Sequence, residues 1–126
     1  MANNPVGWFE NYVDDLPRAR EFYQTVLGVQ LEDLDVPEDA ALKMLAFPND
    51  MEKHGTSGAL VNIQGFPAGG NSTLVYFSCA DCAVEAARVE AAGGKVKTEI
   101  MSIGQYGFVA HAFDTEGNMF VLHSLR

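Results

Sequence analysis

The chain has 126 residues, a length that suits one domain able to bury a core without disulfide staples. Its formal charge is -9 with a pI near 4.5, and its eight Lys and Arg residues are dispersed, so nucleic acid and anionic membrane surfaces are poor partners. No apolar run approaches a membrane span, and Met1-Ala2-Asn3-Asn4-Pro5 lacks the basic and apolar regions of a secretion signal, which makes a cytoplasmic location the expectation.

Gly7 to Val13 reads as a strand that feeds a helix started by Asp15. Leu16, Ala19, Phe22, Tyr23, Val26 and Leu27 recur at three and four residues, Pro17 sits in the first turn where a missing N–H costs little, and Gly28 closes the helix. Three shorter β segments follow, Val29 to Asp35, Ala41 to Phe47 and Ser57 to Ile63. Pro48 to Thr56 is a long polar loop of the kind found at cavity mouths, and its His54 is read as solvated. Gln64 to Ser72, with Gly65, Pro67, Gly69 and Gly70, reads as a linker.

The same order then repeats. Thr73 to Cys79 is a strand, Cys82, Ala86, Val89 and Ala92 form a helical stripe ended by Gly93-Gly94, and Lys95 to Ser102, Tyr106 to Phe113 and Met119 to Ser124 are strands. Asp114-Thr115-Glu116-Gly117-Asn118 is a hairpin signal. A shift of 66 positions lays Val13-Asp14-Asp15-Leu16 on Cys79-Ala80-Asp81-Cys82, Leu27-Gly28-Val29 on Gly93-Gly94-Lys95, and Ala46-Phe47 on Ala112-Phe113. The repeat preserves the points where elements begin and end, as a duplicated βαβββ unit would. The division predicted is module one at about 5–63, a linker at about 64–72 and module two at about 73–126, all in a single domain over 1–126.

Cys79 and Cys82 form a Cys-Ala-Asp-Cys at a strand-to-helix junction, the placement of thioredoxin-like redox pairs. The segment lacks the accompanying Trp and Pro, and the repeat sets Val13 and Leu16 at the equivalent places. Both cysteines are therefore read as small core-facing hydrophobes, and no second ligand pair is spaced for zinc.

Duplicated βαβββ units resemble the vicinal oxygen chelate superfamily, which includes glyoxalase I, extradiol dioxygenases, and the fosfomycin and bleomycin resistance proteins. The resemblance rests on Val13-Asp14-Asp15-Leu16 followed by Phe22-Tyr23 and Val26-Leu27-Gly28, on Gly93-Gly94-Lys95-Val96, and on Phe113-Asp114-Thr115-Glu116-Gly117-Asn118. It implies an α+β fold in which two tandem βαβββ modules form a cup-shaped mixed β-sheet with helices on the outside. It also implies a small-molecule ligand in the cup and a homodimer, with cups sometimes shared between subunits. Metal-dependent members take one ligand from the first and one from the last strand of each unit, and here those positions hold Trp8, Ala59 or Leu60, Leu74 and Val121. None of these binds a divalent cation, so no cofactor is predicted. A two-residue shift would offer a divalent metal Glu10, Tyr76 and His123, with Asn62 nearby.

Strand alternation selects the residues facing the cup: Trp8, Glu10, Tyr12, Leu74, Tyr76 and Ser78, with Val121 and His123 on the last strand. Glu10 and His123 are the catalytic candidates, base and acid for proton transfer next to a carbonyl, or partners that hydrogen-bond each other to satisfy buried polarity. Trp8, Tyr12, Tyr76, Asn62 and His111 are the substrate-binding candidates, and Tyr106 extends the aromatic wall for a flat ligand. The expected function is a glyoxalase-like lyase or isomerase; the alternative is a metal-free protein that binds or sequesters a small molecule, as the bleomycin resistance type does.

Overall fold

The computed structural model describes residues 6–36, 41–50, 52 and 55–126; His54 lies outside them. The first half runs β1 Phe9–Tyr12, α1 Leu16–Leu27, β2 Glu32–Asp33, β3 Leu42–Ala46 and β4 Gly58–Ile63. The second runs β5 Val75–Ser78, α2 Cys82–Ala86, β6 Lys95–Ser102, β7 Phe108–Phe113 and β8 Met119–Ser124, with a 3-10 turn Gly104–Tyr106 before β7. The strand orders are β1-β4-β3-β2 and β5-β8-β7-β6, the same order twice. In each sheet the first and last strands pair in parallel and the rest are antiparallel. The fold is α+β with a βαβββ arrangement in each half, compatible with a cup. Among the described residues no helix is long and apolar enough to cross a membrane.

Local chemistry accounts for the helix limits. The Asp15 side chain accepts the Arg18 amide at 3.0 Å and caps α1. At the other end Gly28 takes φ 68° and returns its N–H to the Gln24 carbonyl, a left-handed close that an L side chain resists. The sequence predicts a second helix reaching to Gly93, but the α-helix ends at Ala86 and the chain continues as turns. Bonds such as Val89 N–H to Ala86 O and Gly93 N–H to Glu90 O span three residues, the tighter winding of short helical turns. The stripe survives, since Cys82, Val89, Ala86 and Ala92 still pack on the core.

One apolar cluster draws on both halves. Ala19, Phe22, Tyr23 and Val26 of α1 meet Leu45 and Leu60 from the first sheet and Ala112, Phe120 and Leu122 from the second. Its aromatic part crosses between halves, with Phe47 to Phe77 at 5.6 Å and Tyr23 to Phe120 at 5.7 Å between ring centroids. Ala59, Val61, Val109 and Val121 are also buried but stand outside this cluster. They occupy the opposite faces of the two sheets, away from the helices.

The 114–118 turn locks the halves together. Glu116, its side chain buried, accepts the Asp14 and Asp15 amides at 3.1 and 2.9 Å, the Arg18 guanidinium at 2.7 and 3.0 Å, and the Thr115 hydroxyl. Asn118 donates to the Tyr12 carbonyl and accepts the Gly69 amide. Tyr23 donates to Asp114 and accepts from Asn11. Burial, the Asp114 charge and that bond hold the Tyr23 hydroxyl well above its ordinary range.

Candidate functional site

The open face of the first sheet carries Glu10 and Tyr12 of β1, with Trp8 just before the strand, in the alternation the sequence predicts. Tyr12 OH donates to Glu10 Oε1 at 2.9 Å and Trp8 Nε1 to Oε2 at 3.4 Å. The bond to Glu10 is the main cause that raises the Tyr12 hydroxyl above its usual value, with burial and the carboxylate charge adding to it. Strand register extends this face in one row, Glu10, Ala59, Ala46 and Glu32. A cavity of about 550 Å³ opens beside it, lined by Trp8, Gln30, Glu32, Leu34, Ala46, Phe47, Pro48 and Asn49. The long loop after β3 thus does contribute to a cavity mouth, through Pro48 and Asn49. Phe66 from the linker stacks on Tyr12 at 5.5 Å with 25° between ring planes.

The open face of the second sheet gathers the other candidates. One row across it is Tyr76, Val121, His111 and Thr98; the next is Ser78, His123, Val109 and Met101. His111 and His123 are therefore diagonal neighbours, about 7–8 Å apart by sheet geometry. His123 Nε2 donates to the Tyr106 carbonyl at 2.6 Å, which assigns it the proton. His111 Nδ1 is buried with no hydrogen-bond partner among the described residues.

Three expectations need correction. Glu10 and His123 are not hydrogen-bonded to each other; they stand on different sheets with the partners just given. Nor is Glu10 a buried polar group, since it is exposed. Asn62 shares the face of Leu60, the helix side, and its amide donates to the Val13 and Asp14 carbonyls at the mouth of α1. A one-residue difference in register turns a strand's side chains over, and the β4 register was the least constrained by pattern.

The cysteines are free thiols. Cys82 is buried against the Phe108 carbonyl and Cys79 donates to the Phe77 carbonyl. Burial, aided by Glu85 and Cys82, pushes the Cys79 thiol up to about 12, away from the reactive thiolate.

At the implied positions a divalent cation does not fit the described residues. Ala59 and Val121, two of the implied ligand positions, lie on the open faces as buried hydrocarbon. Of the shifted set, Asn62 lies on the helix side, Glu10 is bonded to Trp8 and Tyr12, and His123 is bonded to the Tyr106 carbonyl. Among the described residues no three His, Cys, Asp or Glu side chains form a group able to hold a metal ion.

Glu32, Leu34 and Ala46 were not foreseen, because β2 has only two residues and its pairing with β3 leaves no periodic trace. Phe66 had a usable signal, a lone aromatic in a Gly- and Pro-rich linker.

Comparison with known proteins finds the fold repeatedly. Glyoxalase I from Zea mays superposes with TM-score 0.75 at 25% identity, over 95% of this chain and 46% of the maize chain. This chain thus spans less than half of the maize enzyme's length. A glyoxalase-related enzyme from Fulvimarina pelagi gives 0.71 at 17% identity, covering 96% of this chain and 88% of its own. The trypanothione-dependent glyoxalase I of Leishmania major gives 0.71 at 20%, covering 97% and 87%. No curated protein matches the sequence. The family model of the Glyoxalase/Bleomycin resistance protein/Dioxygenase superfamily matches residues 6–122, and with both halves built as βαβββ units the chain belongs to that superfamily.

Proposed function

We propose that this protein binds a small organic molecule against the open face of its first sheet, without a resident metal, and does so as a homodimer. The observation that carries this reading is the arrangement of Trp8, Glu10 and Tyr12, hydrogen-bonded into one surface beside a cavity of about 550 Å³. That volume lies within the range of small-molecule sites, and a few polar groups among apolar walls are their usual lining. A general base and a general acid that serve one substrate must both come within hydrogen-bond reach of it. Glu10 and His123 share no hydrogen bond, and each is already engaged, Glu10 by Trp8 and Tyr12 and His123 by the Tyr106 carbonyl, which weighs against the lyase or isomerase built on them. The dimer is supported by exposed aromatic area on both open faces, with Trp8 40% and Tyr76 55% accessible. Such surfaces call for a cover, and a second copy offers a complementary one.

A thermal-shift screen of a small-molecule panel, run on the wild type and on Trp8→Ala, tests the binding reading. Ligands that raise the melting temperature of the wild type only are the expected result; ligands that act equally on both proteins refute the site. Light scattering on the eluting protein should give twice the 13.7 kDa chain mass. One observation favours an enzyme instead. The buried His111 Nδ1, without a partner among the described residues, stands beside His123 on the second sheet, a buried polar atom that the fold itself leaves unexplained. In that reading His111→Asn loses turnover of a lyase or isomerase substrate while keeping its affinity.

A further inference from the structure

The charge and shape of the first open face go further than a generic cavity. Glu10 and Glu32 stand at the two ends of one row, with only the small side chains Ala59 and Ala46 between them. Across three strand spacings that puts their backbones about 14 Å apart; Ala59 is fully buried, and Ala46 lines the cavity together with Glu32. Both Glu10 oxygens are oriented by ring donors, Trp8 N–H on one and Tyr12 O–H on the other, so the carboxylate is held in place between two aromatic rings. Phe66 stacks on Tyr12 and prolongs the aromatic surface. None of the described residues lining the cavity is Lys, Arg or His. An aromatic surface carries negative charge on its faces and attracts cations, above all substituted ammonium groups, and a fixed carboxylate beside it strengthens that attraction.

We infer that this site selects organic cations: a substituted ammonium or amidinium group seated against Trp8 and Glu10, with a flat apolar body lying in the cavity against Ala46 and Leu34 toward Glu32. The inference rests on the reading of this face as the ligand site and names the ligand class for it. An anion of the same size would meet Glu32 in the cavity wall and Glu10 beside Trp8, with no Lys, Arg or His among the described lining residues, and a neutral ring would gain the apolar contact alone.

Trp8 is the single tryptophan of the chain, so its fluorescence reports on the site directly. The intact protein is titrated with benzyltrimethylammonium, benzyl alcohol and benzoate. Benzyltrimethylammonium should change the Trp8 emission saturably, with the alcohol and the carboxylate about tenfold weaker or silent. Glu10→Gln should weaken the cation about tenfold and Glu32→Gln about threefold, while Glu21→Gln on the outer side of α1 leaves it unchanged. Added salt should weaken the wild-type complex, a check that needs no variant. If benzyl alcohol or benzoate binds as tightly as the cation, or salt has no effect, the charge selection is wrong and the ligand site itself still stands. If none of the three probes perturbs Trp8, the inference fails. Should the thermal-shift panel also find no ligand that depends on Trp8, the site reading fails with it.

Discussion

Glu116 holds more of the molecule together than any other described polar side chain, and its titration should be visible. Burial alone would raise its carboxyl, but the Arg18 guanidinium, the Asp15 amide and the Thr115 hydroxyl outweigh it and hold the group below its ordinary range. A carboxyl lowered in the folded state stabilises the fold above its unfolded value and loses that contribution as pH falls through the folded one. Asp114 works in the opposite sense. Burial raises it against the pull of its hydrogen bonds to Tyr23, Asn118 and Glu116, so its contribution falls as pH rises from the unfolded to the folded value. Urea unfolding followed below about pH 4.5 should therefore show wild-type stability declining with acid more steeply than that of Glu116→Gln. Equal slopes would mean that Glu116 is not the titrating latch. At neutral pH Glu116→Ala should cost about 3 kcal/mol, because two backbone amides and Arg18 lose their acceptor together.

At the scale of elements, the repeat aligns Gly28 with Gly94, yet the two glycines have different work. Gly28 is needed for its left-handed φ of 68°, with only Arg88 near a would-be Cβ. In the second half the positive φ has moved to Gly93, at 103°, and Gly94 is needed for space: a Cβ there would lie 2.4 Å from the Phe113 carbonyl oxygen and 2.5 Å from the Phe22 ring. Gly28→Ala should cost about 1 kcal/mol through backbone strain alone, and Gly94→Ala about 3 kcal/mol through the displaced core. Denaturant midpoints order the two, and the reverse order would contradict this division of roles. Such a difference is invisible in two identical letters, since it depends on which ring the helix of the first half brings over. What could be read locally was read well. Period-two alternation set Trp8, Glu10 and Tyr12 on one face, and Asp15 and Gly28 marked the ends of α1, because each needs only its near neighbours. Asn62 and the Glu10 with His123 pairing failed for the complementary reason. Strand register and the placement of one sheet against another are set by contacts tens of residues apart.

At the scale of the whole molecule, each half offers one apolar face to a cluster that neither completes alone. The aromatic rings of Phe9 and Phe47 meet Phe77 directly, and Tyr23 links Phe47 to Phe120, across the division between the modules. The halves should therefore unfold as one unit although they are built as two. Hydrogen exchange in rising urea should give peptides from β4 and β8 the same opening free energy; separate values would show two independent units. The latch has a further consequence in time. The residues that seal the entrance to α1 belong to a turn roughly one hundred positions later. During synthesis at about 5–20 residues per second, the first helix must wait several seconds for Glu116 to appear. Through that interval Phe22 and Tyr23 have no second sheet to cover them. The apolar face of the nascent first half is covered only once the Asp114-Thr115-Glu116-Gly117-Asn118 turn and its sheet have been made.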